Sequence, residues 1–159
     1  MERRRKQKSH RSSQDTRYRI NIYNRQSNLP ISARSIRRAI MFFLQEKNVD
    51  CQELSVYLVG KRKITHLHGQ FFNDPTPTDC ITFPLDSQFL GEIFVCPQVA
   101  CETNRKKPYD ETTLYIFHCL LHLLGYDDID KKKRVQMRRE EKRLMTLARR
   151  KKCILEFSS

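Results

Sequence analysis

The stretch Glu111-Thr112-Thr113-Leu114-Tyr115-Ile116-Phe117-His118-Cys119-Leu120-Leu121-His122-Leu123-Leu124 is apolar nearly all round apart from two histidines. A helix of that kind has no water-facing stripe, so it belongs in the middle of a domain with other elements packed around it. His118 and His122 are four residues apart, which puts both imidazoles on one face, one turn from each other. Gly125 follows where a left-handed residue closes a helix. The chain then turns through Tyr126 and Asp127 and returns Asp128 to the helix end, in the spacing HxxxHxxGxxD.

Two imidazole nitrogens and one carboxylate oxygen suit zinc in near-tetrahedral geometry, and three protein ligands leave a fourth position for a water or a substrate oxygen. The competing explanation is a pair of core histidines satisfied by hydrogen bonds. Two at ligand spacing, with a glycine turn and a carboxylate behind them, favour the metal, because unpaired buried imidazoles are costly. His118, His122 and Asp128 are therefore expected to hold one Zn2+ and to form the catalytic centre.

Upstream, Ile20, Ile22 and Tyr23 read as a short strand, closed by a turn at 28–30. A helix opens behind Ser32, with Ile36, Ile40, Phe43 and Leu44 on one buried face. Leu54, Val56 and Leu58 alternate with Ser55, Tyr57 and Val59, both sets largely apolar, which predicts a strand covered on two faces. After Gly60 the spacing of Ile64, Leu67, Phe71 and Phe72 is helical again, until two prolines break it within 73–79. Two strands are expected at 80–84 and 92–96, joined by a loop too long for a two-residue hairpin turn. A short helix over 98–106 precedes the buried one. A charged helix from about 130 to 150 follows it, with Met137, Leu144 and Leu147 as a thin apolar stripe.

The 159 residues suit a single domain, and the formal net charge of +13 points to a polyanionic partner. That charge sits at the ends. Residues 1–18 hold seven Lys/Arg against two acids and residues 131–152 hold twelve against two, while 19–130 are near neutral. The ends read as basic arms, which raise affinity for nucleic acid without conferring sequence preference. Residues 1–16 carry too little apolar surface to offset ordering and are expected to be disordered. The domain is expected over 17–152, with a tail at 153–159.

Six cysteines show no CxxC pair or compact framework and read as reduced thiols of a reducing cytosol. No apolar core follows the charged first residues, and the longest apolar run is too short to span a bilayer, so a cytoplasmic protein without membrane attachment is expected.

The spacing also resembles that of zinc proteases with HExxHxxGxxH, but position 119 is Cys where they place the glutamate that serves as general base. Peptidase chemistry lacks its base here. Two histidines and a carboxylate also serve non-haem iron oxygenases, a reading the basic ends do not support.

Three motifs in order carry a family resemblance. Pro77-Thr78-Asp79-Cys80-Ile81-Thr82-Phe83-Pro84, then Gly91-Glu92-Ile93, then His118 to Asp128 resemble the PTDVLSFP, GEI and HxxxHLLGYDH signatures of the YbeY family. The similarity spans roughly 18 to 150. It implies an α+β fold, a small mixed β-sheet packed with helices around a buried central helix that carries the metal ligands. It also implies a zinc-dependent single-strand endoribonuclease, a hydrolase acting in maturation of the 3′ end of 16S rRNA and in ribosome quality control. Ribosomal RNA and the small ribosomal subunit are then its partners.

Two residues depart from the family pattern. Asp128 stands where the family has a third histidine, and an anionic ligand makes the loaded centre less acidifying. Phe72 stands where the family has an arginine that handles RNA phosphates, which leaves that contact to Lys61, Arg62 or Lys63. Asp79 either caps a turn or joins the site. Glu92 either accepts a proton or faces solvent, and His66 and His68 lie on opposite faces of their helix.

Two other functions fit the same residues. One is a ribosome-associated RNA-binding factor whose metal is structural, favoured by loss of the arginine and opposed by the open ligand count. The other is a general metallohydrolase for a small phosphoester or amide.

Overall fold

A computed structural model describes residues 18–50, 53–85 and 89–158. In chain order the elements are β1 (Arg19–Arg25), α1 (Ala33–Glu46), β2 (Glu53–Val59), α2 (Lys61–Phe72), β3 (Cys80–Pro84), β4 (Phe89–Val95), α3 (Pro97–Thr103), α4 (Pro108–Leu123) and α5 (Lys131–Arg150). The expected basic arm at 1–16 lies outside the described residues.

Ser32 caps α1, its hydroxyl accepting the Ser35 amide at 3.3 Å, as its residue type leads one to expect. Ile36, Ile40, Phe43 and Leu44 are fully buried. The four strands lie in the order β1-β2-β4-β3, with β1, β2 and β4 parallel and β3 antiparallel to β4. Parallel neighbours need crossovers, and α1 and α2 supply the first two. The sheet is mixed and the fold α+β.

One face of the sheet carries the main core. Leu54, Val56, Leu58, Ile93 and Val95 meet α1 and α4 there, with Phe117 packed at 5.6 Å from Phe43 and 5.9 Å from Phe42. On the other face α2 sets Ile64 and Leu67 on Val59, Ile81 and Cys96, and Phe71 and Phe72 on Phe83. Tyr23, Tyr57 and Phe94 stack across that face at 4.7 and 4.6 Å and stay partly exposed. The strand expected to be covered on two faces is thus sealed on one and half-covered on the other.

α4 is the helix expected to be buried, and Ile116, Phe117, Cys119, Leu120 and Leu121 are fully inaccessible. It begins three residues before the apolar run, with Pro108 in its first turn, where a missing N–H costs nothing. The buried hydroxyls of Thr112 and Thr113 donate to the carbonyls of Pro108 and Tyr109 at 2.8 and 2.7 Å. Asp130 caps α5 by accepting the Lys133 amide at 2.8 Å. The buried stripe of α5 is Met137, Leu144, Met145 and Ala148.

Residues 153–158 pack back on the body. Leu155 is buried, Ile31 and Phe157 form an antiparallel bridge, and the Ser32 amide donates to the Glu156 carbonyl at 2.9 Å. Cys80, Cys96, Cys101, Cys119 and Cys153 are free thiols. Among the described residues no helix is long and apolar enough to cross a membrane.

Candidate metal centre

The end of α4 is closed by paired backbone hydrogen bonds: the Gly125 amide donates to His122 O and the Tyr126 amide to Leu121 O, both at 3.0 Å. Gly125 has φ +95°, which glycine adopts without strain. Asp127 then folds the next turn, accepting the amides of Asp128 and Ile129 on Oδ1 at 2.7 and 3.0 Å. The Arg134 guanidinium donates to the carbonyls of Asp128 and Ile129 at 3.2 and 3.4 Å. Local chain geometry therefore carries Asp128 back to the two rings.

The structure brings together the three residues that the spacing selected. His118 Nε2 lies 3.1 Å from His122 Nε2, and Asp128 Oδ2 lies 3.9 and 3.8 Å from them respectively. All ligand atoms fall within 4.8 Å of one another, an arrangement that can hold a metal ion. A tetrahedral zinc with bonds of about 2.0–2.1 Å separates its ligand atoms by about 3.3 Å.

The outer ring nitrogens make the stronger case. His118 Nδ1 lies 2.5 Å from Glu141 Oε1, and His122 Nδ1 lies 3.0 Å from the Tyr126 carbonyl. Both of those partners accept, so each Nδ1 carries its proton and each Nε2 presents a lone pair. Two lone pairs 3.1 Å apart repel unless a cation or a proton lies between them. This donor set fits a divalent metal. Burial alone would lower the His118 pKa, but the hydrogen bond and charge of Glu141, with the charges of Asp79 and Asp128, hold it above its ordinary value.

A cleft runs past this cluster as two cavities that share His118 and Asp79. One, of about 350 Å³, is walled by His68, Phe72, Ile81 and Pro84; the other, of about 290 Å³, by Tyr115, Arg134, Arg138 and Glu141. Asp79 does both things open to it, accepting the Cys80 amide at 2.7 Å and facing both cavities. His68 is tied to the Thr76 carbonyl at 2.8 Å and borders the cleft, whereas His66 is exposed. Glu92 pairs in register with Phe83 and Ser55, on strands rather than at either cavity.

The basic start of α2 does not reach this place. Lys61 pairs with Glu102 at 2.7 Å, and Arg62 and Lys63 stand in the first turn of a helix that reaches the cleft with His68 and Phe72, near its other end. Sequence reasoning missed Glu141, Arg134 and Arg138, because no spacing rule says which face of α5 passes α4.

Such a fold and site define a small mixed-sheet protein with a helix-borne histidine pair and a returning carboxylate at an open cleft. A family model described as endoribonuclease YbeY matches residues 21–149. The chain belongs to this family of endoribonucleases. It is similar to the endoribonuclease YbeY of Protochlamydia amoebophila, 43% identical over 136 residues that cover 80% of this chain and 91% of the relative. The endoribonuclease YbeY of Chlamydia trachomatis serovar D is 36% identical over 141 residues, covering 81% and 88%. A solution structure of TM1509 from Thermotoga maritima is similar in fold, with a TM-score of 0.58 and 27% identity over 79% of this chain and 86% of that one.

Proposed function

We propose that this chain is a zinc-dependent endoribonuclease for single-stranded RNA, working in the cytoplasm on the 3′ end of 16S rRNA and in ribosome quality control, with the small ribosomal subunit as its partner. One observation carries the catalytic reading: the Nε2 atoms of His118 and His122 and a carboxylate oxygen of Asp128 converge at the wall of an open cleft. Family membership supports RNA as the substrate. The basic ends add attraction for a phosphate backbone through counterion release.

His118, His122 and Asp128 would hold the ion. When bound, zinc supplies Lewis acidity toward a phosphate oxygen as charge develops on it. Glu141 keeps the His118 proton on Nδ1 and fixes that ring, and the Tyr126 carbonyl does the same for His122. Asp79, facing both cavities, is placed to accept a proton from an attacking hydroxyl or water. Phe72 and Pro84 wall the cleft with apolar surface suited to an unstacked base.

Incubation of the purified chain with labelled single-stranded and duplex RNA, with and without chelator, beside H118A, tests this. Cleavage of the single strand alone, lost with chelator and in H118A, is the expected result; equal cleavage in every lane would show a contaminating nuclease. End groups on the products separate the two nucleophiles, since cyclic phosphates require attack by the neighbouring 2′-hydroxyl.

A further inference from the structure

α5 crosses the cleft so that successive turns face it. Arg134, Met137, Arg138 and Glu141 all line the cavity that also holds His118 and Asp128, at the i, i+3, i+4, i+7 spacing of one helix face. Two of these polar groups are already engaged. Glu141 is bonded to His118, and Arg134 donates to the carbonyls of Asp128 and Ile129. Arg138 lies between them in sequence and, among the described residues, has no hydrogen-bond or ion-pair partner.

Other α5 cations are partnered away from the cleft. Arg143 is held by Glu140 and Glu46, Arg149 by Asp110 and Lys133 by Asp130. Arg139 and Lys142 border a different cavity. Met137, 1% exposed, anchors the turn that carries Arg138, so the backbone beneath the guanidinium is fixed.

The same cavity contains the carboxylates of Asp79, Glu111, Asp128 and Glu141. A polyanion entering there meets repulsion unless a free cation receives it. A guanidinium offers paired donors that match two oxygens of one phosphate.

We propose that Arg138 is a substrate-binding residue, which grips a backbone phosphate of the RNA next to the one at the metal ligands. This rests on the endoribonuclease reading above. It places the phosphate grip on α5, in the cavity that shares His118 and Asp79 with the one Phe72 lines. RNA thus lies with an unstacked base toward the Phe72 cavity and its neighbouring phosphate toward Arg138.

The test is initial-rate kinetics of the zinc-loaded full chain on single-stranded RNA over a range of salt, for R138Q, R138K and R139Q. R139Q removes the same charge one residue away on another face. R138Q is expected to raise KM roughly tenfold with kcat little changed, and to reduce the salt slope of log affinity by about one. R139Q should shift KM by no more than about threefold, and R138K should fall between, since a lysine keeps the charge but not the fork. Zinc content should be the same in all four proteins. Equal KM for R138Q and R139Q, with the unaltered chain active, would overturn the role of Arg138 alone. An unaltered chain that neither binds nor cuts RNA would overturn the functional reading and Arg138 with it.

Discussion

The ring of His118 on α4 and the carboxylate of Glu141 on α5 meet 2.5 Å apart, behind the ring nitrogen that faces His122 and the proposed metal position. That contact fixes both the tautomer and the aim of the ring. E141A is expected to weaken zinc binding roughly 10- to 100-fold, and E141Q less, because its amide oxygen still accepts from Nδ1. Titration against a competing chelator reads both values. Unaltered affinity in E141A would show that packing alone orients His118.

Asp128 is the anionic member of the proposed ligand set, 45% exposed on its side chain and held by the turn that Asp127 builds. D128A should lose stable zinc binding, since two protein ligands remain. D128H should keep the ion and, with one negative charge fewer beside it, move the pH–rate profile to lower pH. A D128H profile that coincides with that of the unaltered chain would show that the charge of Asp128 does not tune the centre.

Gly91 brings β4 against α4. It has φ +153°, and a Cβ there would sit 2.6 Å from the Phe83 carbonyl oxygen and 2.7 Å from Leu123 Cδ2. Backbone strain and overpacking combine, so G91A should cost about 2–4 kcal/mol. Urea unfolding measures it. Leu123 adjoins His122, so the same variant should also bind zinc more weakly.

Acid should unfold the chain through Glu140. Its carboxyl is pulled down to about 2, first by the hydrogen bond from Arg143 and, against burial, by Lys47, at 2.6 and 2.9 Å. A carboxylate depressed in the folded state stabilises it above the unfolded pKa and loses that contribution as pH falls through the folded value. Stability is therefore expected to drop between about pH 4.5 and about pH 2. E140Q should be less stable than the unaltered chain at pH 7 and should flatten that decline.

The buried helix was legible because burial on all sides leaves no polar stripe, and the meeting of His118, His122 and Asp128 because spacing on a helix is geometry. Boundaries were less so. Pro108, Tyr109 and Asp110 open α4 ahead of the continuous apolar run, and β4 starts at Phe89, where Gly91 interrupts the strand signal before Glu92. Leu155 looked like part of a loose end, yet it is buried, its amide donating to the Thr113 hydroxyl on α4 at 3.1 Å. Such contacts depend on where distant elements meet. Glu141 and Arg138 belong to the same class: α5 shows many charges, and only its docking on α4 selects those that face the cleft.

Tyr126 serves the centre with its peptide group rather than its ring, for its amide ends α4 and its carbonyl aims His122. No exchange of side chain at that position deletes the carbonyl, and proline alone would delete the amide. The two imidazoles therefore differ in genetic vulnerability: a single codon change at 141 can misdirect one, whereas the other drifts only if the main chain itself is rerouted.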